Sequence, residues 1–168
     1  MFHYDIKDLI SLTTDPADGL LVFANVDKVK TNGAEFEVER LWDAETRLRA
    51  SITWQRAEDG STGQQLTNSP SILGKLNFTM PLFHGWATAG VEGQYVGRRR
   101  TIDGNYANGY AVVNLTMLTR RLAPGLEVSA SVYNLFDQSY ADPGSEEHVQ
   151  DVIQQDGRIL RLSASYRF

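Results

Sequence analysis

Three consecutive arginines, Arg98–Arg100, form the densest positive charge in the sequence. Guanidinium groups bind carboxylates and phosphates through paired hydrogen bonds, so the cluster could contact an anionic ligand or a lipid phosphate. The more common role of such a run is a solvated surface segment. We expect the three arginines to lie where a strand enters a loop, as a candidate contact for an anion or ligand.

Charges of both signs also recur at two-residue spacing in two adjoining segments. Glu35, Glu37 and Glu39 come first, and Arg47 and Arg49 follow. This spacing places side chains on one face of a β-strand. These five residues either line a polar cavity and face an enclosed domain, or pair with one another across a hairpin. The sequence leaves both roles open.

The remaining reactive residue types form no catalytic or metal-binding pattern. The sequence has no Cys, and His3, His84 and His148 lie in separate segments without metal-ligand spacing. No Ser, His and Asp set suggests a nucleophile, and no glycine pattern suggests a phosphate-binding loop. The acidic residues after Ala141 fit no calcium-loop spacing. We therefore expect no metal, no cofactor and no enzymatic activity.

Composition narrows the class of protein. The 168 residues are 42% hydrophobic and 22% charged with a net charge of −5, which suits one ordinary domain. The mild acidity and the scattered basic residues argue against a nucleic-acid partner. The longest apolar run, Leu20 to Ala24, is far shorter than the roughly 18–20 residues of a membrane-spanning helix. The opening residues have no basic stretch followed by an apolar one, so they predict no secretory signal.

Alternation of apolar and polar residues is the dominant pattern and predicts an all-β, antiparallel chain. In the last segment the apolar positions are Leu160, Leu162, Ala164, Tyr166 and Phe168. Similar alternation predicts about eight strands, mostly longer than the usual five or six residues. Their expected bounds are 2–12, 20–42, 46–58, 70–81, 86–99, 109–120, 125–140 and 157–168.

Connection lengths alternate as well. Short turns are expected at 43–45, 82–85 and 121–125, and long loops at 13–19, 58–69, 100–108 and 141–157. This alternation, with aromatic residues near strand ends, is typical of an outer-membrane barrel. A soluble barrel or sandwich would have shorter strands and more even loops.

The first short turn tests the strand register. A three-residue turn at Asp43–Glu45 places Phe36 opposite Ile52, and Glu39 opposite Arg49. The same register aligns two further apolar pairs, Val38 with Ala50 and Ala34 with Trp54. A shift of one residue would separate the apolar pairs and the charged pair together.

The closing stretch resembles the C-terminus of TonB-dependent outer-membrane receptors. The residues that carry the resemblance are Asn134, Leu135, Phe136, Asp137 and Tyr140, then Gly157, Arg158 and the terminal Phe168. The run Gly33 to Glu37 is similar to earlier barrel strands of that family. The resemblance implies the C-terminal part of a 22-stranded barrel, without its plug domain. It also implies the Gram-negative outer membrane, with the C-terminus at the periplasmic rim.

The resemblance further implies a function for the parent protein, which is import of a ferric siderophore or a similar scarce nutrient. Implied partners are outer-membrane lipid and lipopolysaccharide, the plug domain and the remaining barrel strands, and the outer-membrane assembly machinery. The TonB complex is expected to bind only through an N-terminal part outside this sequence. The alternating end from Leu160 to Phe168 is similar to the signal that the assembly machinery binds.

Two other functions remain open at this point. The first is a self-contained eight-stranded outer-membrane barrel with a structural or adhesion role, since eight strands can close around a core filled with side chains. The second is an outer-membrane enzyme or a soluble ligand-binding barrel. A small closed barrel would need a polar network that fills its interior, whereas a segment of a wide barrel would not.

Overall fold

The computed structural model describes residues 1–42 and 46–168, and all their regular structure is β. Among these residues no helix is long and apolar enough to span a membrane. The strands are β1 (Phe2–Thr14), β2 (Leu21–Leu41), β3 (Arg47–Asp59), β4 (Ile72–Leu82), β5 (Ala87–Val96), β6 (Arg99–Arg100), β7 (Tyr106–Ala107), β8 (Tyr110–Thr119), β9 (Leu126–Tyr133), β10 (Ala141–Pro143), β11 (Val152–Gln154) and β12 (Ile159–Tyr166).

Eight strands form one antiparallel sheet in the order β1-β2-β3-β4-β5-β8-β9-β12. The short strands form two separate pairs, β6 with β7 and β10 with β11, inside long connections. Neighbours in the large sheet are also neighbours in sequence, as expected for a meander. Within the described residues β1 and β12 are the two edges of an open wall, and they do not pair with each other.

The strand register gives the wall one apolar and one polar side. One row across the apolar side consists of Val38, Ala50, Leu76, Gly93 and Val113. The next consists of Leu48, Phe78, Val91, Leu115, Val132 and Leu160. Rows on the polar side include Glu37, Ser51, Lys75, Gln94 and Val112. The side-chain period of two therefore holds across seven strands.

The apolar side is not covered by the rest of the chain. Phe36, Leu160 and Leu162 are 62%, 76% and 77% exposed, and the buried apolar residues are few and mostly small. An uncovered apolar area of this size on a single sheet requires an apolar environment or a partner. The wall is therefore not a soluble sandwich, which would bury this side against a second sheet.

Exposed aromatic residues flank the apolar rows at both ends. Trp42, Trp86 and Tyr166 lie at the end with the short turns, and Trp54 and Tyr95 lie toward the loops. Trp42 is eight residues beyond Ala34, which pairs with Trp54, so the band is about 26 Å long along the strand at 3.3 Å per residue. A strand of about 9–11 residues, tilted by about 45°, spans a membrane, so nine residues between aromatic girdles suit a transmembrane barrel.

The predicted register of the first hairpin is confirmed. Ala34, Phe36 and Val38 lie opposite Trp54, Ile52 and Ala50, and Glu39 lies opposite Arg49. The three-residue turn itself, 43–45, lies outside the described residues. Trp42 N–H donates to the Thr46 carbonyl at 3.0 Å, which joins the strands next to the turn.

Two of the predicted strands are too long. The strand expected over 125–140 ends at Tyr133, because Asn134 and Asp137 adopt φ of 49° and 55°, in the left-handed region that breaks a strand. The strand expected over 86–99 ends at Val96. Gly97 N–H then donates to the Ile72 carbonyl at 2.8 Å, and Arg99–Arg100 join the separate β6–β7 pair.

The first predicted loop, 13–19, begins two residues later than expected, at Asp15, because β1 continues to Thr14. Register shifts separate Ile6 from Ile10 along β1, and pairing with β2 then continues to Thr14. Pairing of β2 with β3 begins only at Val29. Residues 9–25 therefore form a two-stranded projection beyond the sheet, which we call the ribbon.

The apolar residues of β1 lie on the opposite side of the wall from those of the other strands. Phe2 pairs with Gly33, which lies on the same side of β2 as Glu35, so the apolar residues Phe2, Tyr4 and Ile6 lie on the polar side. A side chain at Gly33 would collide with the Phe2 ring. Glycine at this position makes room for an aromatic residue on the polar side of the wall.

Candidate functional site

Three long connections pack together at one end of the sheet and form what we call the loop block, residues 60–71, 97–109 and 134–158. Asn68 N–H donates to the Arg100 carbonyl at 2.9 Å, joining the first two. Asn105 Nδ2 donates to Asp151 Oδ2 at 3.1 Å, joining the second and third. The short β6–β7 and β10–β11 pairs stiffen the second and third connections.

Arg99 lies at the centre of the loop block, with its side chain only 8% exposed. Its Nη2 donates to Asp142 Oδ1 at 2.5 Å, and its Nη1 donates to Asn68 Oδ1 at 3.2 Å. The guanidinium carbon also lies 5.6 Å from the centre of the Tyr110 ring. One buried cation therefore holds all three connections. Removing one partner of such a pair leaves an uncompensated charge, at a cost of about 3–5 kcal/mol.

Two tyrosines complete the block. The rings of Tyr110 and Tyr140 lie 4.2 Å apart between centroids, and the Tyr110 hydroxyl donates to Asp142 Oδ1 at 3.4 Å. Burial raises the pKa of Tyr140, and the nearby carboxylates of Asp142 and Asp156 raise it further. Both effects favour the neutral phenol. Tyr140 therefore stays uncharged over the physiological range.

The three arginines do not act as one anion-binding cluster. Arg99 is buried against Asp142 and is not accessible to a ligand. Arg100 is half-buried, and its Nη1 donates to the Gln65 carbonyl at 3.3 Å. Arg98 is exposed and stacks over Tyr106, with 4.9 Å between the guanidinium carbon and the ring centre. Of the predicted contacts, Arg98 is the one that presents its charge at the surface of the block.

The predicted charges of the polar side pair with one another across the first hairpin. Arg47 bonds Glu39 at 2.5 Å, and Arg49 bonds Glu37 at 3.0 Å. The bonds are diagonal, whereas the sequence aligns Glu39 directly with Arg49, because long side chains reach the diagonal neighbour on a pleated surface. All four are about half exposed, so each pair adds little stability. Glu35 lies on the same side, opposite Thr53.

The motif that carries the family resemblance is a structural turn. Asn134 is 5% exposed, its Oδ1 accepts from Gln138 N–H, and its Nδ2 donates to the Gln138 carbonyl, both at 2.9 Å. Asn114 Oδ1 accepts from Asn134 N–H at 2.9 Å. Asp137 Oδ1 accepts from Arg158 N–H at 2.8 Å. The motif thereby joins β8, β9 and the approach to β12, while Phe136 remains exposed.

The last strand places its alternating residues as the sequence predicts. Leu160, Leu162, Ala164 and Tyr166 share the apolar side with Val132, Ala130, Val128 and Leu126 of β9. Every residue of β12 is exposed, because β12 is an edge. Phe168 lies beyond the end of the strand and is fully exposed.

The residues that the sequence does not single out are the partners of Arg99. Asn68, Tyr110 and Asp142 lie 31, 11 and 43 positions from it in the chain, and all three contact its guanidinium group. Such separations leave no local pattern. Asp142 is one of several acids in a loop, and nothing in the sequence distinguishes the one that pairs with Arg99. In the described ranges no group of three or more His, Cys, Asp or Glu side chains could hold a metal ion.

An antiparallel wall with one apolar side, aromatic girdles, short turns at one end and long loops at the other is the construction of an outer-membrane β-barrel. Residues 1–135 match the family described as TonB dependent receptor-like, beta-barrel. The chain belongs to this family of transport receptors, which are not enzymes, and its place is the outer membrane.

Individual relatives are similar over a limited part of their own length. The iron-regulated outer membrane virulence protein of Vibrio cholerae is 28% identical over 171 residues, covering 87% of this chain and 26% of that protein. The crystal structure of the ferric-catecholate import receptor Fiu from E. coli K12 aligns with a TM-score of 0.74 and 20% identity, covering 99% of this chain and 24% of Fiu.

A second solved structure aligns with this chain to a similar extent. The siderophore receptor PiuA from Acinetobacter baumannii aligns with a TM-score of 0.75 and 17% identity, covering 98% of this chain and 25% of PiuA. At these identities the structural matches show the fold alone. The chain spans about a quarter of the length of the relatives it matches.

Proposed function

We propose that this chain forms the C-terminal wall of a 22-stranded TonB-dependent receptor that imports a ferric siderophore or a similar scarce nutrient. The observation that carries the proposal is the open, two-sided sheet. Its apolar side is uncovered, and both of its edges lack a partner among the described strands. Inside hydrocarbon every backbone group must be paired, so such a wall requires further strands to close it. The chain covers about a quarter of each matched receptor, which supports the proposal that it is one part of a larger barrel.

The proposal assigns a direction to the wall. The C-terminus and the three short turns lie at the periplasmic rim, and the loop block and the ribbon lie outside the cell. Long external loops and short periplasmic turns are the rule in bacterial barrels. The last strand, from Leu160 to Phe168, then presents the signal for the assembly machinery, and lipopolysaccharide surrounds the outer end of the apolar side.

The polar side faces the plug domain in this proposal. Glu35, the Arg47–Glu39 pair and the Arg49–Glu37 pair lie on that side, about half exposed. Exposed ion pairs can exchange partners at small cost, which suits a surface that contacts a domain able to move. The TonB complex would act through the plug and not through this wall.

Arg98 and Tyr106 are the proposed cargo contacts on the loop block. An exposed guanidinium stacked on an aromatic ring offers both charge and a flat apolar surface to an anionic chelate. The ion pair of the buried Arg99 with Asp142 acts as a positioning element that holds the block in place. It is not a contact.

Uptake of radiolabelled iron by iron-starved cells tests the function. Deleting the gene for the full-length receptor should abolish uptake from at least one ferric chelate, and restoring the gene should recover it. Unchanged uptake from every class of chelate tested would refute the import function.

A pair of variants tests the cargo contact. Arg98→Ala should raise the half-saturating chelate concentration about tenfold, the usual scale for losing a hydrogen bond to a charged group. Arg121→Ala, an exposed arginine in a turn at the other end of the wall, is the matched control and should change nothing. Equal effects of the two would remove Arg98 from the contact.

A further inference from the structure

Basic side chains follow the aromatic girdle at the loop end of the apolar side. On β3, Arg56 lies two residues beyond Trp54. On β2, Lys30 and Lys28 lie four and six residues before Ala34, which pairs with Trp54. Side chains at even spacing share one side of a strand, so the three cations project from the apolar side, just beyond the hydrocarbon band. All three are exposed, and we call them the basic patch.

Two carboxylates lie beside the basic patch and leave part of its charge free. Lys30 lies opposite Asp5 on one neighbouring strand and opposite Glu58 on the other. Glu58 accepts from Arg56 Nε at 2.5 Å, and the rest of that guanidinium is unbonded within the described part of the chain. Neither Lys28 nor Lys30 forms an ion pair with any described residue. Three cations against two carboxylates leave free donors for an anion.

On the other side of the girdle, the apolar side has a hollow of about 330 Å³. Its floor is formed by Gly74, Gly93 and Ala111, and Ile52, Leu76 and Tyr95 surround it. A Cβ atom at Gly93 would lie 3.5 Å from the Leu76 Cβ, an ordinary contact, so close packing of the wall does not explain this glycine. Glycine inside a strand often marks the close approach of a ligand. An acyl chain in the hollow would gain dispersion contacts with its apolar lining.

The basic patch and the hollow lie next to each other along the strands. Ile52, at the edge of the hollow, and Arg56 are four residues apart on β3, about 13 Å. Trp54 lies between them at the girdle and is 46% exposed. A phosphate at Arg56 is therefore within one lipid length of acyl chains in the hollow. Phosphate, interface and acyl chain is the order of groups in a membrane lipid.

The length of the basic patch distinguishes between kinds of lipid. Lys28 lies four residues from Asn32, which pairs with Arg56, so the patch extends about 13 Å along the strands. Cations spread over this length can bind more than one phosphate. We propose that the basic patch and the hollow together bind lipid A, the bis-phosphorylated and multiply acylated anchor of lipopolysaccharide. The inference rests on the proposed function for the outward direction of the loop end, which places the patch in the leaflet that contains lipopolysaccharide.

Binding is tested on the purified, delipidated full-length receptor in a non-ionic detergent. Diphosphoryl lipid A is titrated, and native mass spectra give the bound fraction. Monophosphoryl lipid A and phosphatidylglycerol should bind at least about tenfold more weakly, the scale of a lost hydrogen bond to a charged group. Equal binding of phosphatidylglycerol would overturn the choice of lipid A. Inorganic phosphate that competes as strongly as the lipid would remove the hollow from the site, and no binding of any lipid would overturn the site as a whole.

Charge variants locate the phosphate contacts. Lys30→Gln and Arg56→Gln should each weaken binding of diphosphoryl lipid A about tenfold. Lys75→Gln is the matched control, because Lys75 is exposed on the polar side of β4, and it should bind as the parent does. Unchanged binding by both patch variants, or an equal loss with Lys75→Gln, would overturn the basic patch as the phosphate contact.

A second pair of variants tests the hollow. Gly93→Val places a side chain in it and should weaken lipid A binding, whereas it should leave the response to phosphate competition unchanged. Ala130→Val, on the same side but nearer the short turns, is the matched control and should have no effect. Equal binding by Gly93→Val and the parent would remove the hollow from the site.

The direction of the wall is tested separately, since the binding measurement uses neither iron nor an intact membrane. This chain has no cysteine, and Ser61 is exposed in the loop block. A membrane-impermeant maleimide should label Ser61→Cys in intact cells above the background of the parent. Labelling only after cell lysis would refute the orientation in the proposed function and the placement of the site in the outer leaflet. Failure of lipid A to bind the purified receptor would refute the site and leave the import function standing.

Discussion

Replacing Leu162 with arginine should destabilise the barrel far more than the same change at its neighbour. Leu162 lies near the middle of β12, opposite Ala130 on the apolar side, and is 77% exposed. On that side the residue would contact acyl chains. Arginine at the bilayer midplane of a barrel costs about 2–4 kcal/mol. Ser163 lies on the other side of the wall, opposite Ser129, and arginine there should cost about 0.5 kcal/mol or less, as at most surface positions.

The assay is a denaturant titration of the full-length receptor refolded in lipid vesicles, with both variants compared against the parent. Leu122→Arg serves as a second control, since Leu122 is exposed in a turn outside the apolar rows and arginine near an interface costs about 0–1 kcal/mol. Equal losses of stability at Leu162 and Ser163 would contradict the assignment of the two sides. A larger loss at Ser163 would reverse it.

Three further predictions concern the loop end of the wall. Asp142→Ala should cost about 3–5 kcal/mol of local stability by leaving the buried Arg99 guanidinium without its carboxylate, measured as faster hydrogen exchange over 134–158. The double variant with Arg99→Ala should cost less, and exchange rates equal to those of the parent would contradict this role of the pair. Since the pKa of Tyr140 is raised, its contribution to stability is complete below the ordinary tyrosine pKa of about 10 and is lost as the pH rises further, so protection factors, which correct for intrinsic base catalysis, should fall above that pH. Tyr140→Phe should reduce this fall. Asn134→Ala should lower unfolding stability by about 1–3 kcal/mol in the same titration, because a buried turn loses its side-chain hydrogen bonds.

The arrangement of the wall follows from sequence because its causes are local. The side-chain period of two determines which residues share a side, and complementary pairs such as Phe36 with Ile52 determine the register. Both are visible in the order of residues along adjacent segments. The positions at which strands end are harder to predict from the sequence. Nothing in the alternation around Tyr133 shows that Asn134 turns the chain, because that turn depends on bonds to Asn114 and Gln138.

The loop block could not be predicted for a different reason. Its central contact joins Arg99 to Asp142, and the choice of that carboxylate among the acids of the last loop depends on how β10 and β11 pair. The two strands of the ribbon lie largely within the predicted strands 2–12 and 20–42, but the sequence does not show that this pair projects beyond the sheet. The projection depends on where β3 ends, since Asp59 pairs with Val29 and no residue of β3 lies beside the earlier part of β2.

Oxygen accessibility of spin labels along β8 tests the central claim most directly. Labels placed one at a time on Leu115, Thr116, Met117 and Leu118 of the full-length receptor in lipid vesicles should alternate. Leu115 and Met117 should be relaxed strongly by oxygen, which concentrates in hydrocarbon. Thr116 and Leu118, on the polar side, should be relaxed weakly. Uniform values, or the opposite alternation, would show that the apolar side of this wall does not face the membrane.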